Sequence, residues 1–257
     1  MKHLPAALFA ALLCAVSPAW AGRPLTIDDA DPTPAGQGQL TAGFGWEHSG
    51  SYQDWDYPLG LAYGLAPSLE VNTSLGACRA EVGDTDDSKQ TFGLGDFLLG
   101  AKWQFSGETA WLPRQTLEPS IKIPTASHRK GIGSGRPDYD LTWVASKKVG
   151  EAAQVDVNVG YTRIGHSKDE PENDVLHGGM ALEYQLCDNL QWVGEVFAAR
   201  NLRNDGQLAV LSNTGVRWQV EPYLTLDVAI GTGLRGENAP HLTGMLGLSW
   251  SFDVTRK

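Results

Sequence analysis

Trp55-Asp56-Tyr57-Pro58-Leu59-Gly60-Leu61-Ala62-Tyr63-Gly64-Leu65 alternates without a break: each odd position is aromatic or leucine, and each even position is acidic, proline or small. Side chains of an extended chain point to opposite faces in turn, so this period of two gives a strand with one wholly apolar face. The segment before it follows the same rule, with Leu40, Ala42, Phe44 and Trp46 against Thr41, Gly43, Gly45 and Glu47. So does the one after, with Leu69, Val71, Thr73 and Leu75 against Glu70, Asn72, Ser74 and Gly76. The alternation continues through 97–105, 117–123, 139–145, 155–161, 175–186, 190–199, 208–220, 223–234 and 241–252, which makes twelve segments. Each is near the length of about 10 residues that a tilted strand needs to cross a bilayer. The pattern predicts an all-β fold, a transmembrane antiparallel up-and-down β-barrel of about 12 strands, over residues 39–257.

The connections agree with that reading. Polar stretches 78–91, 125–136, 165–174 and 235–240 fall on one side, and tight links such as Ala66-Pro67, Cys187–Asn189 and Glu221-Pro222 fall on the other. Long loops outside and short turns inside are the habit of outer-membrane barrels. Ser106–Arg114 is a longer link on the short side. A soluble β-sandwich would alternate equally well, with its apolar face turned inward. Against it, Trp46, Trp55, Trp103, Phe105, Tyr161, Tyr184, Trp192, Trp218 and Trp250 cluster near segment ends, as interfacial girdles do. The last segment carries the stripe Leu246, Leu248, Trp250, Phe252, resembling the C-terminal signal read by the barrel-assembly machinery, although Asp253–Lys257 follow it.

The N-terminus reads as an export signal. Met1-Lys2-His3 precedes an apolar run from Leu4 to Val16, and Ala19-Trp20-Ala21 has the small-x-small form of a cleavage site. Residues 1–21 are therefore expected to be a cleaved signal peptide; a lipoprotein signal at Cys14 is disfavoured because Leu13 stands where a small residue is wanted. Residues 22–38 have no period and are expected to form either a periplasmic tail or a small plug inside the barrel. Cys78 and Cys187 are placed apart, so they are expected to be unpaired. Thirty glycines, nine tryptophans and only 19% charged residues suit strands and interfacial aromatics. The net charge of −10 excludes a phosphate-binding surface and hence a nucleic-acid partner.

If the apolar face meets lipid, the alternating face lines the lumen. It carries Glu47, Asp54, Asp56, Glu70, Asp96, Glu118, Asp138, Asp140, Asp156, Glu183, Glu195 and Asp227, against Lys102, Lys122, Lys148 and Arg217. A lipid-facing Lys or Arg at mid-depth would cost about 2–4 kcal/mol, so an inward placement is required. Two arrangements satisfy such a face. An open acidic pore would concentrate cations; alternatively, the few bases pair with carboxylates across a narrow barrel and close it.

Several motifs in order resemble one family. They are Thr26-Ile-Asp-Asp-Ala-Asp before the first strand, Tyr63-Gly-Leu-Ala-Pro-Ser-Leu-Glu-Val, Gly93-Leu-Gly-Asp-Phe-Leu-Leu-Gly-Ala-Lys-Trp, and Ile123-Pro-Thr followed by Gly131-Ile-Gly-Ser-Gly. Together they resemble the outer-membrane proteins grouped as the MetA-pathway-of-phenol-degradation, or transporter-like, family. The resemblance implies a barrel admitting small molecules, with aromatic or hydrophobic compounds suggested for some members. The lumen face departs from hydrophobic cargo, since its larger apolar residues are few: Pro58, Val144, Val193, Phe197, Leu211 and Met245. Pro124-Thr125-Ala126 also stands where the family has Pro-Thr-Gly.

Other chemistry finds little support. Ser127-His128, His166-Ser167 and His177 lack the extended motif of an outer-membrane phospholipase, and sequence adjacency does not place a base on a nucleophile. The six histidines lack the spacing of a closed metal site, and Asp84, Asp86 and Asp87 suit only loose divalent binding. Gly131-Ile-Gly-Ser-Gly lacks the lysine and helix of a phosphate loop, so no cofactor is expected. The sequence therefore predicts a channel for passive uptake of small molecules, embedded in outer-membrane lipid. The alternatives are a closed barrel displaying loops 78–91 and 125–136 to a partner, or an outer-membrane hydrolase.

Overall fold

The structure, a computed structural model, describes residues 22–50, 52–82, 89–165, 174–202, 208–236 and 239–254. Its strands are β1 (Gln37–Ser49), β2 (Tyr52–Ala66), β3 (Leu69–Val82), β4 (Lys89–Leu94), β5 (Phe97–Ser106), β6 (Arg114–Ile123) and β7 (Asp138–Val149). They continue as β8 (Ala153–Arg163), β9 (Val175–Cys187), β10 (Leu190–Asn201), β11 (Leu208–Glu221), β12 (Leu224–Arg235) and β13 (Leu242–Asp253). Every strand pairing is antiparallel, between chain neighbours except where β3 meets β5, and β13 closes the ring on β1 with Gln37 opposite Asp253 and His48 opposite Leu242. A closed ring leaves no unpaired strand edge, the condition for strands to survive in lipid.

Thirteen strands occupy twelve wall positions. The outer half of β3 pairs with β4 (Ala77 opposite Leu94) and its inner half with β5 (Leu69 opposite Trp103). The break lies at Gly95-Asp96, where Gly95 N donates to Gly76 O (2.8 Å) and Asp96 turns its carboxylate to Ala126 N (2.8 Å). Residues 89–94, expected in part as loop, extend the wall beyond the membrane instead. Phe92 and Leu94 keep the period of two there and remain exposed.

The alternation is realised with the apolar face outward. Leu59 (51% exposed), Leu141, Met180, Ile230 (56%) and Leu246 lie outside, whereas Val144, Val193, Thr116 and Ser146 are fully buried inside. An exterior of this kind is stable only against lipid. Trp103, Leu117 and Trp143 stand in one cross-strand row, and Tyr184 pairs with Trp192 and Leu224 with Trp250 at the same end, forming the periplasmic girdle. Trp46 opposite Trp55 belongs to the outer girdle. At the closing seam the Phe252 ring covers Gly38, whose missing Cβ would lie 2.5 Å from the ring. Cys78 on β3 and Cys187 at the end of β9 are free thiols.

Candidate functional site

The lumen is occupied. Residues 22–34 thread into the periplasmic half of the barrel and are held there chiefly by wall side chains that bind their backbone. Glu195 accepts hydrogen bonds from Thr26 N (2.8 Å) and Ile27 N (2.7 Å), and also from Asn213 Nδ2 (2.6 Å). Ala30 N donates to Ser146 Oγ (2.8 Å), and its carbonyl accepts from Thr116 Oγ1 (2.6 Å) and Gln104 Nε2 (3.2 Å). Thr33 N donates to Glu70 (2.7 Å), and Arg217 donates to the carbonyls of Gly22 and Arg23. Leu25 and Ile27 bury their side chains against Val175, Ala181, Val193, Phe197 and Ala199. Full burial is worth about 1.5–3 kcal/mol for each such aliphatic side chain.

The segment carries its own charges to lumenal partners. Lys102 Nζ lies 2.9 Å from Asp28 Oδ2 and 3.5 Å from Glu118 Oε1, and donates to Asp29 O (3.0 Å). Asp31 meets Arg114 Nε at 3.1 Å, and Arg23 meets Asp227 at 3.3 Å. Burial, with Asp29 and Glu70 nearby, pushes the Asp28 carboxyl up to about 7 in spite of Lys102. Burial, helped by Asp29, also raises Asp31.

The remaining acidic positions divide into two groups. Outside the plug, Lys122 bridges Asp138 and Asp96 and donates to Ser134 Oγ (3.1 Å), while Asp140 accepts from Thr142 (2.8 Å) and Thr162 (2.7 Å) and faces His177 Nε2 at 2.8 Å. Asp156 accepts from Ser146 (2.5 Å) and Gln154 (2.9 Å); Glu183 pairs with Arg217. Asp54 and Asp56 stand with Glu47 on the lumenal side of the outer ends of β1 and β2, with Glu47 directly opposite Asp54. Of the bases, Lys102, Lys122 and Arg217 all join carboxylates, whereas Lys148 is exposed at the strand end.

Two lumenal cavities flank the plug. The inner one, about 350 Å³, is lined by Arg23, Asp29, Glu70, Arg217, Asp227 and Ser249 among others. The outer one, about 60 Å³, is lined by Asn72, Glu118, Lys122, Asp138, Asp140 and His177 among others. Both reach Asp28, so the Asp28–Lys102–Glu118 cluster lies between them.

Glycines make the room. The Arg23 guanidinium rests on Gly43 and Gly247, paired across β1 and β13, where added Cβ atoms would lie 2.4 and 2.2 Å from it. Gly247→Ala is expected to push Arg23 off Asp227, whose side chain is only 1% exposed. Leaving a buried polar group unsatisfied costs about 1–3 kcal/mol. Faster proteolysis within residues 22–34, with unchanged heat-modifiable gel migration, checks it.

The sequence did not single out Arg23, Asp28, Asp31 and Arg114, which the structure brings into ion pairs. A signal was present in the glycine-for-side-chain gaps at positions 43, 64 and 247 of the lumen face; at Gly64 an added Cβ would strike Pro34 O at 2.2 Å. Of the hydrolytic candidates, His177 is bound to Asp140 and stacks near Phe197 (6.1 Å), and His128 lies in an exposed 3-10 turn. His166, Ser167, Asp84, Asp86 and Asp87 lie outside the described residues. Among the described residues no group of three or more His, Cys, Asp or Glu side chains is arranged to hold a metal.

A twelve-position closed barrel with a lipid-facing exterior defines an outer-membrane β-barrel protein. Residues 21–252 match the family described as "Putative MetA-pathway of phenol degradation", and the chain belongs to it. None of the curated proteins matches the chain. Among solved structures it is similar to an outer membrane channel from Pseudomonas putida F1, with 15% identity, TM-score 0.70, and coverage of 87% of this chain and 98% of that one. It is also similar to the translocator domain of the autotransporter NalP from Neisseria meningitidis (12% identity, TM-score 0.60, 95% of each chain). A third is the KdgM porin in complex with oligogalacturonate (10% identity, TM-score 0.54, 83% of this chain and 99% of that one).

Proposed function

We propose that this protein is an outer-membrane channel for passive uptake of small polar or cationic solutes, closed at rest by its own N-terminal segment. The observation that carries this reading is the division of the lumen into two polar cavities by the Asp28–Lys102–Glu118 cluster. The fold shared with channels and porins supports it. The outer cavity supports the solute class: Asn72 Oδ1 is buried there without a hydrogen-bond partner, beside Glu118, Asp138 and Asp140. A solute offering N–H or O–H donors would satisfy it, whereas an apolar ring would leave it unpaired.

Residues 1–21 are proposed to be removed on export, and the Leu246–Phe252 stripe to engage the barrel-assembly machinery. Asp54, Asp56, Glu70, Asp96, Asp138, Asp140, Asp156, Glu183, Glu195 and Asp227 are proposed to set the field along the path. Purified protein in planar bilayers is expected to give discrete conductance steps with cation preference. Silence across a range of voltages, in the wild type and after loss of the plug, would remove the channel reading in favour of a closed barrel displaying its loops.

A further inference from the structure

The periplasmic link between β5 and β6, residues 107–113, is longer than its neighbours and is a built structure. Thr109 N donates to Leu112 O (2.9 Å), and the Thr109 hydroxyl accepts from Trp111 N (3.3 Å) and Leu112 N (2.9 Å). Glu108 ties its start to Arg114 (3.5 Å) and Lys147 (3.2 Å) and accepts from Lys148 N (3.2 Å). The turn so fixed presents Trp111 at 92% exposure, with Leu112 beside it at 54%. Holding a tryptophan almost wholly in solvent on a braced turn has no benefit for the barrel's own packing.

The direction of the turn is set by Lys147. On β7 the positions Tyr139, Leu141, Trp143, Ala145 and Lys147 share the outward face, and the Lys147 ammonium donates to the carbonyls of Thr109 and Ala110. The Thr109-Ala110 part of the link therefore folds toward the outer rim of the wall, while Glu108 bridges to Arg114. Lys147 stands four residues beyond Trp143 on the girdle row, about 13 Å along the tilted strand. The apolar surface of Val149, also exposed on that face, continues the patch. An amphipathic indole next to a lysine at this depth matches the headgroup layer of the bilayer, where tryptophan and lysine anchor membrane proteins.

We propose that residues 107–113 form an interfacial anchor that seats Trp111 and Leu112 in the phospholipid headgroup layer of the periplasmic leaflet, continuing the girdle of Trp103 and Trp143. The occupant of this surface is lipid, argued from that continuity and from the outward fold of the turn. The anchor would fix the height of β5 and β6, the strands that bear Lys102 and Glu118.

The test compares full-length wild type and W111F, each reconstituted in vesicles of phosphatidylcholine brominated near the glycerol end of its acyl chains. Heat-modifiable migration confirms that both barrels are folded. The fluorescence difference between the two proteins, which reports Trp111, is expected to be mostly quenched by the brominated lipid and little affected by iodide on both sides of the membrane. A Trp111 contribution quenched by iodide and untouched by brominated lipid would overturn the proposal and leave the turn free for a periplasmic protein. As a second readout, replacing Trp111 and Leu112 together by serine is expected to lower the unfolding midpoint in vesicles but not in detergent. An equal loss in both media would mean that the turn acts only through contacts within the chain.

Discussion

A variant lacking residues 22–34 is expected to conduct severalfold more current per channel than the wild type and to remain a folded barrel. The segment fills the space between the two cavities, and nearly all its bonds run to side chains on the lumenal face. Removing it exposes Glu70, Glu195, Thr116 and Ser146 to water, which can solvate them, and the main loss is the cover that Leu25 and Ile27 give to Val193 and Phe197. The ring itself is closed by strand pairing, including the twelve residue pairs between β1 and β13, none of which involves the deleted residues. Single-channel recording, with heat-modifiable migration as the folding control, measures both halves of the prediction. Equal conductance in the two proteins would show that current does not pass where the segment lies.

Lys102→Met is expected to have the second-largest effect. Its ammonium is the cation between Asp28 and Glu118, and all three side chains are largely buried, at 6%, 3% and 16% exposure. Removing one partner of a buried ion pair costs about 3–5 kcal/mol, as uncompensated charge or as the protonation that relieves it. Placed on the seating of the plug, that is a shift of about two to four orders of magnitude toward the open state. The variant should show long openings and stronger cation preference. The triple variant D28N/K102M/E118Q removes the stranded charges together and is expected to close again. If the triple variant stays as open as Lys102→Met, packing of the lysine stem and not charge holds the plug.

The wall was legible in the sequence because its physics is local. A period of two, sustained through Trp55–Leu65 and eleven other segments, separates an apolar face from a polar one without knowledge of any partner strand, and the aromatics near segment ends turn the apolar one to lipid. The lumenal acids followed from the same parity. What lay beyond the pattern was the break at Gly95-Asp96, where the period runs on through Phe92 and Leu94 but the hydrogen-bond partner changes from one part of β3 to another. The choice between tail and plug for residues 22–38 stayed open for a related reason. The segment's place depends on Glu195, Ser146, Thr116, Glu70 and Arg217, which lie far along the chain, and each binds backbone, which carries no residue identity. Asp28, Asp31 and Arg23, with the buried Leu25 and Ile27, act through their side chains, but in a segment without periodicity nothing within it marks them as lumenal.

The family's description points to phenol degradation, and the proposed polar cargo does not conflict with it, because a phenol carries an O–H donor as well as a ring. A wholly apolar solute would leave the Asn72 amide oxygen without a partner at each passage, whereas a cationic or hydroxylated one satisfies it.

The reversal potential under a potassium chloride gradient, read for the wild type and for the variant lacking residues 22–34, bears most directly on the central claim. Cation selectivity is expected in both, weaker once the plug is gone, because that segment carries Asp28, Asp29 and Asp31 against the single Arg23. Anion selectivity, or no current from either protein, would contradict it.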